Sequence, residues 1–151
     1  MIIMMNKKIH RRCLRESEVI ELKARIVADI CKEVIAFANT RGGTLYIGVE
    51  DNGNVVGVTS ADQVILQMNN MVRDSIKPDV TMFVHYETLT VDCKEIVAVT
   101  IQQGTDRPYY LGSKGQKPSG VYVRNGTYLV VETKYRQFLL SHSRTAATLC
   151  Q

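Results

Sequence analysis

The residues of this chain best suited to chemistry are cations and aromatic rings gathered in one stretch. Arg107-Pro108-Tyr109-Tyr110 leads into a run, residues 112–120, that is rich in Gly, Ser and Lys, and Lys114, Lys117 and Arg124 follow along it. Lys and Arg neutralise phosphates, a tyrosine ring can stack on an unpaired base, and a Gly-rich loop offers backbone N–H groups to an anion. Lys23 belongs with them, as do the basic residues Lys7, Lys8, Arg11, Arg12 and Arg15 near the start. Lys23, Arg107, Tyr109, Lys114, Lys117 and Arg124 are therefore the candidate nucleic-acid contacts. The competing role for Tyr109 and Tyr110 is packing at a sheet edge, and for each lysine a solvated surface.

Other chemistries find less support. Cys13, Cys31, Cys93 and Cys150 include no pair at metal-ligand spacing, and His10, His85 and His142 are isolated, so neither a zinc site nor a triad base stands out. No G-x-x-x-x-G-K-[ST] run is present. Gly42-Gly43 follows a helical pattern and precedes a strand, the reverse of a phosphate loop, and reads as a helix stop. Nucleotide hydrolysis has no motif to rest on.

Charge is unevenly spread over the net +4. Residues 1–15 hold five Lys/Arg and no acid, and residues 113–151 hold six against one; the middle has eight against fourteen, a net −6. Basic ends around an acidic middle suit a polyanion held at the ends, and equally suit tails that keep a domain soluble. At 151 residues, with 45% hydrophobic and 23% charged, the chain is sized and composed as one ordinary globular domain. Its apolar runs fall far short of the roughly 18 residues that span a bilayer. Residues 1–15 lack the apolar core of a secretion signal, so a cytoplasmic protein without a membrane partner is expected.

The elements that would position these residues follow from periodicity. Residues 18–23 predict a short strand. Ile26, Val27, Ile30, Val34, Phe37 and Ala38 recur at three- and four-residue steps, one face of a helix that ends near Asn39-Thr40. A strand over 44–49, the turn Asp51-Asn52-Gly53 and a strand at 55–56 make a hairpin. Ser60 with Gln63 is a capping box for a helix striped with Val64, Ile65, Met68, Met71 and Val72 and closed by Pro78. Strands over 80–86 and 96–101 form a second hairpin, 112–120 a long loop, 121–124 a last strand and 133–142 a final helix. The prediction is one α+β domain, a mixed sheet with about three packed helices, over residues 16–142, between a basic arm at 1–15 and a tail at 143–151.

Several of these segments also resemble a known family. Glu16-Ser17-Glu18-Val19-Ile20-Glu21-Leu22-Lys23, then Ala36-Phe37-Ala38-Asn39-Thr40-Arg41-Gly42-Gly43 and Ile47-Gly48-Val49-Glu50-Asp51, are similar to the Schlafen-type AlbA-like domain. That domain reads E-S-x-x-x-E-F-K, then A-F-A-N-T-x-G-G-x-x-x-I-G-V-x-D. Arg107-Pro108-Tyr109-Tyr110 and Tyr122-Val123-Arg124-Asn125-Gly126-Thr127 extend the likeness over about residues 16–140. Leu22 replaces the usual Phe, and Cys93 stands in a turn where Gly is common.

The resemblance implies a DNA-binding or RNA-binding module. In many bacterial members it begins larger transcriptional regulators, some described as ATP-binding or helicase-related. The chain is therefore expected to be either a free-standing module or a fragment without its C-terminal regulatory region, and a homodimer is open to it. Some Schlafen proteins are ribonucleases built on three carboxylates, and the matching positions here are Glu16, Glu21 and Asp51. Such a set would hold Mg²⁺ or Mn²⁺, with Lys23 neutralising the phosphate; binding alone requires no cofactor. A five-residue separation puts Glu16 and Glu21 on opposite faces of a continuous strand, so a bend near Ser17 is required. Asp51 equally suits the opening of its own turn, and the glutamates suit surface pairs with Lys23. Binding without catalysis is the primary expectation.

Overall fold

A computed structural model describes residues 14–114, 120–125 and 128–131. The chain turns back on itself between Ser17 and Ile20, whose backbones exchange hydrogen bonds of 2.9 and 3.4 Å, and then enters β1 (Ile20–Lys23). The bend that the glutamate spacing requires is therefore present. β1 pairs in parallel with β2 (Gly43–Ile47), and the connection between them is α1 (Ile30–Asn39). α2 (Ala61–Ser75) runs into β3 (Ile76–Lys77), and a 3-10 turn at Thr81–Phe83 precedes β4 (Val84–Val91) and β5 (Lys94–Ile101). β6 (Tyr110–Leu111) pairs with β3, and β7 (Tyr122–Asn125) with β8 (Tyr128–Val131). The central sheet has the order β1-β2-β5-β4, with one parallel and two antiparallel pairings. This is the expected α+β fold with a mixed sheet.

α1 starts at Ile30 rather than Ile26 because residues 27–30 close a turn, Ile30 N–H donating to Val27 O at 3.1 Å. Ile26 keeps the helical spacing only because it packs on the same core from the preceding loop. Nearly every residue of α1 is buried, including Cys31, Ile35 and Ala36 outside the expected stripe, because the sheet lies on one side of the helix and β6 and β7 on another. Its end is built by three bonds: Thr40 N–H and Gly42 N–H both reach Phe37 O, and the Thr40 hydroxyl donates to Ala36 O at 2.7 Å. Gly42 sits at φ +76°, and a Cβ there would lie 2.5 Å from Ile101 O. At Gly43 a Cβ would meet the Phe37 ring itself. The glycine pair is a helix stop and a close approach of helix to strand, as its sequence context predicts.

Elsewhere the boundaries shift for identifiable reasons. The hairpin after β2 is reduced to a single bridge between Val49 and Val55, because Gly48, at φ +106°, turns the strand out of the sheet. The Asp79 side chain accepts from both Thr81 N–H and the Thr81 hydroxyl, so residues 81–83 turn and β4 begins and ends later than predicted. The β4–β5 hairpin forms through a two-residue turn, Asp92 and Cys93 at φ 51° and 62°, the geometry that right-handed strand twist favours. The two-residue strands β3 and β6 are too short to leave a periodic signal, and β8 was not among the expected strands. The expected helix at 133–142 and part of the loop at 112–120 lie outside the described residues. Among the described residues no helix is long and apolar enough to cross a membrane.

Alternation along the strands sorts side chains to two cores. Leu45, Ile47, Val97, Val99 and Ile101 face α1 and α2, while Leu22, Leu89, Val91, Ile96 and Ala98 pack with Leu14 and the Val49–Val55 bridge on the other face. Asn39, at the end of α1, joins the helix to the strands beyond it. Its side-chain nitrogen donates to Tyr109 O at 3.0 Å and Tyr122 O at 2.9 Å, and its oxygen accepts from Tyr109 N–H at 2.7 Å. Asn39→Ala leaves these buried backbone groups without partners, and urea denaturation is expected to show a loss of about 2–4 kcal/mol; a loss below about 0.5 kcal/mol, as at an ordinary surface site, would show that the three bonds do not hold the strands.

Candidate functional site

Glu21 and Lys23 alternate with Ile20 and Leu22 on β1, and their register partners Leu45 and Ile47 face the helices. Both charged side chains therefore point to the α1 side of the sheet, at its edge. There Arg124, from β7, meets them. Its Nη1 donates to Glu21 Oε2 and to Glu33 Oε2, both at 2.9 Å, and its Nη2 donates to Ser17 O at 2.7 Å. The guanidinium lies over the Phe37 ring, 4.6 Å from its centre, and its side chain is 1% exposed. The Lys23 ammonium takes the second oxygen of Glu21 at 3.2 Å.

The electrostatics extend this cluster toward Glu16 and Asp51. Burial, then repulsion from Glu21 and Asp51, raises the Glu16 carboxyl above its ordinary value, with Lys23 and the Leu22 backbone opposing. Burial, then Glu21, also raises Glu33, against the pull of Arg124 and Lys23. Burial alone would depress Lys23, but Glu21, Glu33 and Asp51 hold its ammonium above the usual range. Glu21 and Asp51 thus both act on Glu16 and on Lys23.

Several expected contacts take other roles. Tyr109 is fully buried in the main core, with its hydroxyl accepting from Asp106 N–H at 3.1 Å, so its ring presents no face to a base. Arg124 is enclosed by carboxylates rather than open to phosphate. Arg107 and Lys114 are exposed, Lys23 is half-buried, and Arg15 is exposed. Lys7, Lys8, Arg11, Arg12 and Lys117 lie outside the described residues. Glu33 was missed. Its signal was available: it sits three residues after Ile30 and four before Phe37, a carboxylate on the apolar stripe, where a buried cation is needed to hold it.

The family model described as Schlafen, AlbA_2 matches residues 16–130. The chain belongs to this family. Among solved structures it resembles the N-terminal domain of a RecG-related protein from Nitrosomonas europaea that carries the name of an ATP-dependent DNA helicase. The two are 25% identical, with a TM-score of 0.56 over 71% of this chain and 78% of that one. The DIP2311 protein from Corynebacterium diphtheriae shares the fold at 17% identity and a TM-score of 0.53, over 76% of this chain and 22% of that one. No curated protein matches. Family membership supports a nucleic-acid-binding role.

A metal of the kind the ribonuclease resemblance implies would compete at this cluster with cations that the fold itself supplies. Glu21 gives one oxygen to Lys23 and the other to Arg124. Among the described residues no group of three or more His, Cys, Asp or Glu has the spacing to hold an ion. What the cluster does is hold β7 against β1 and α1 by charge.

Arg124→Met strands two buried carboxylates, and a loss of about 3–5 kcal/mol is expected by denaturant titration, part of it recovered by adding Glu33→Gln; an unaltered midpoint would contradict the network. The raised Glu16 carboxyl gives a pH test. Its contribution to stability is fully present below the ordinary value of 4.5 and is lost as pH rises through its higher folded value. Glu16→Gln cannot ionise, so at neutral pH it should be more stable than wild type, and the gap should close below pH 4.5. A gap that widens on acidification would reverse the assignment.

Proposed function

We propose that this chain is a nucleic-acid-binding module that engages the phosphate backbone of DNA through exposed Lys and Arg, in the service of transcriptional regulation. The observation that carries the reading is the family match across residues 16–130. The DNA assignment draws support from the RecG-related relative, whose name is that of a DNA helicase. Burial narrows the contacts. With Arg124 and Tyr109 committed to the interior, the described candidates are Arg15, Arg107 and Lys114, with Lys23 at the margin. ATP binding has no phosphate loop to support it, since Gly42-Gly43 ends a helix.

A second reading, metal-dependent RNA cleavage, draws support from one feature: Glu21 and Asp51 both bear on Glu16 and on Lys23 beside the β1 cluster. One experiment addresses both. Labelled duplex DNA, single-stranded DNA and single-stranded RNA are titrated between about 50 and 200 mM salt, with Mn²⁺ or with chelator. Affinity for duplex DNA should fall steeply with salt, and Arg15→Ala and Arg107→Ala should each reduce the log–log slope by about 1. Absence of binding at the lowest salt would overturn the module reading. RNA that is cut with Mn²⁺ and spared with chelator, by wild type but not by Asp51→Asn, would establish the enzyme in its place.

A further inference from the structure

Away from the Arg124 network, a second group of charges gathers where α1 begins, α2 ends and β6 turns. An open cleft of about 380 Å³ there is lined by Asp29, Lys32, Asp74, Ser75, Ser113 and Lys114, among others. Two ammonium groups converge on one ring beside it. Lys32 Nζ stands 5.6 Å and Lys114 Nζ 6.0 Å from the centre of the Tyr122 ring, and Lys114 also meets the Tyr122 hydroxyl at 3.3 Å. A third cation runs alongside: Lys77, on β3 opposite Tyr110, passes close enough to Gly112 that a Cβ there would lie 3.3 Å from its Cγ.

The three lysines come from three separate elements, and the packing that assembles the core brings them together. Tyr122 is 4% exposed and is the fixed platform, since its carbonyl is held by Asn39. The carboxylates nearby are partly committed. Asp29 pairs with Lys32 at 2.9 Å and is itself largely exposed, Asp74 pairs with Arg73 at 3.1 Å, and Asp79 lies near Lys77. Among the described residues the polar partner of the Lys114 ammonium is a phenol, which carries no charge. Lys32 and Lys114 both stand by one neutral ring, and an anion that meets both ammonium groups gains two charge-assisted hydrogen bonds. A cleft with hydroxyls along its wall and room for a tetrahedral oxyanion suits phosphate.

We propose that Lys32 and Lys114 clasp one phosphate across Tyr122, with Lys77 at the neighbouring position. This rests on the nucleic-acid reading and places a phosphate contact at the α1–β6 cleft, with Lys32 and Lys77 as contacts beyond those seen in the sequence. The phosphate is a backbone phosphodiester or a free one, and the same chemistry would recognise either.

The test compares salt slopes for a labelled duplex with wild type, Lys32→Ala, Lys114→Ala, the double variant and Arg41→Ala. Arg41 is held in a surface ion pair with Glu18 and serves as the charge-matched control. Each lysine variant should lower the log–log slope by about 1 and the double variant by about 2, with Arg41→Ala near wild type. Lys32→Gln, which keeps the methylene stem over the ring, replaces Lys32→Ala if that variant melts early. Competition by inorganic pyrophosphate at constant ionic strength separates the sources. Displacement that weakens in the same variants points to free phosphate, and no displacement points to the polymer backbone. If Lys32, Lys114 and Arg41 variants all share the wild-type slope, the cleft is wrong and the binding reading stands. If wild type binds neither nucleic acid nor pyrophosphate, both fall.

Discussion

A guanidinium withdrawn from water must find acceptors for its N–H groups and a counter-charge, and Arg124 finds both where β7 meets three other parts of the chain. Glu21 is supplied by β1, Glu33 by α1, the Ser17 carbonyl by the turn before β1, and the ring beneath by Phe37. One donor, Nε, is buried without a partner among the described residues. Moving β7 along α1 by a residue would break every one of these contacts together, because successive strand side chains point to opposite faces. The position of β7 in turn sets the Tyr122 carbonyl within reach of Asn39, and the Tyr122 ring beside Lys32 and Lys114. The buried charge thus specifies a register, which an apolar contact of the same area would leave free to slide.

The same network governs what the carboxylates can do. Glu21 lies between two cations, so its charge is satisfied within the fold. Glu16 lies outside the pair, where burial first and then repulsion from Glu21 and Asp51 make it hold its proton more tightly than a free side chain. A group of like charges around one lysine is an electrostatic strain that a bound cation, a proton or a conformational adjustment of Glu21 would each relieve. The ion pairs with Arg124 and Lys23 are one such relief already in place.

Much of the fold was legible because its signals are periodic or local. The α1 stripe, the Ser60 cap on α2, with Gln63 N–H donating to its hydroxyl at 3.4 Å, and the β4–β5 hairpin each follow from residues within one element. What could not be read is what depends on contacts across the chain. β3 and β6 are strands only because residues 76–77 and 110–111 meet, and the start of α1 is set by a turn that apolar spacing ignores. The burial of Tyr109 and Arg124 belongs to the same class, since Arg-Pro-Tyr-Tyr and Tyr-Val-Arg look identical on a binding loop and in a core. The one local clue was Glu33, a carboxylate on an apolar face that called for a buried cation.

A pattern of residues that marks a family can mark its packing rather than its surface, and this chain separates the two. Asn39 ties helix to strands, Gly42 and Gly43 admit the helix end, Tyr109 fills the core beside Gly104, and Arg124 anchors β7: each of these motif residues has a packing role that involves no ligand. Phosphate recognition makes the opposite demand, for cations held by the fold yet left open to solvent. Lys32, Lys77 and Lys114 meet it, and they lie outside the motif segments quoted from the sequence. In this chain the motif residues therefore hold the architecture, while the open lysines stand on the surface that the architecture presents.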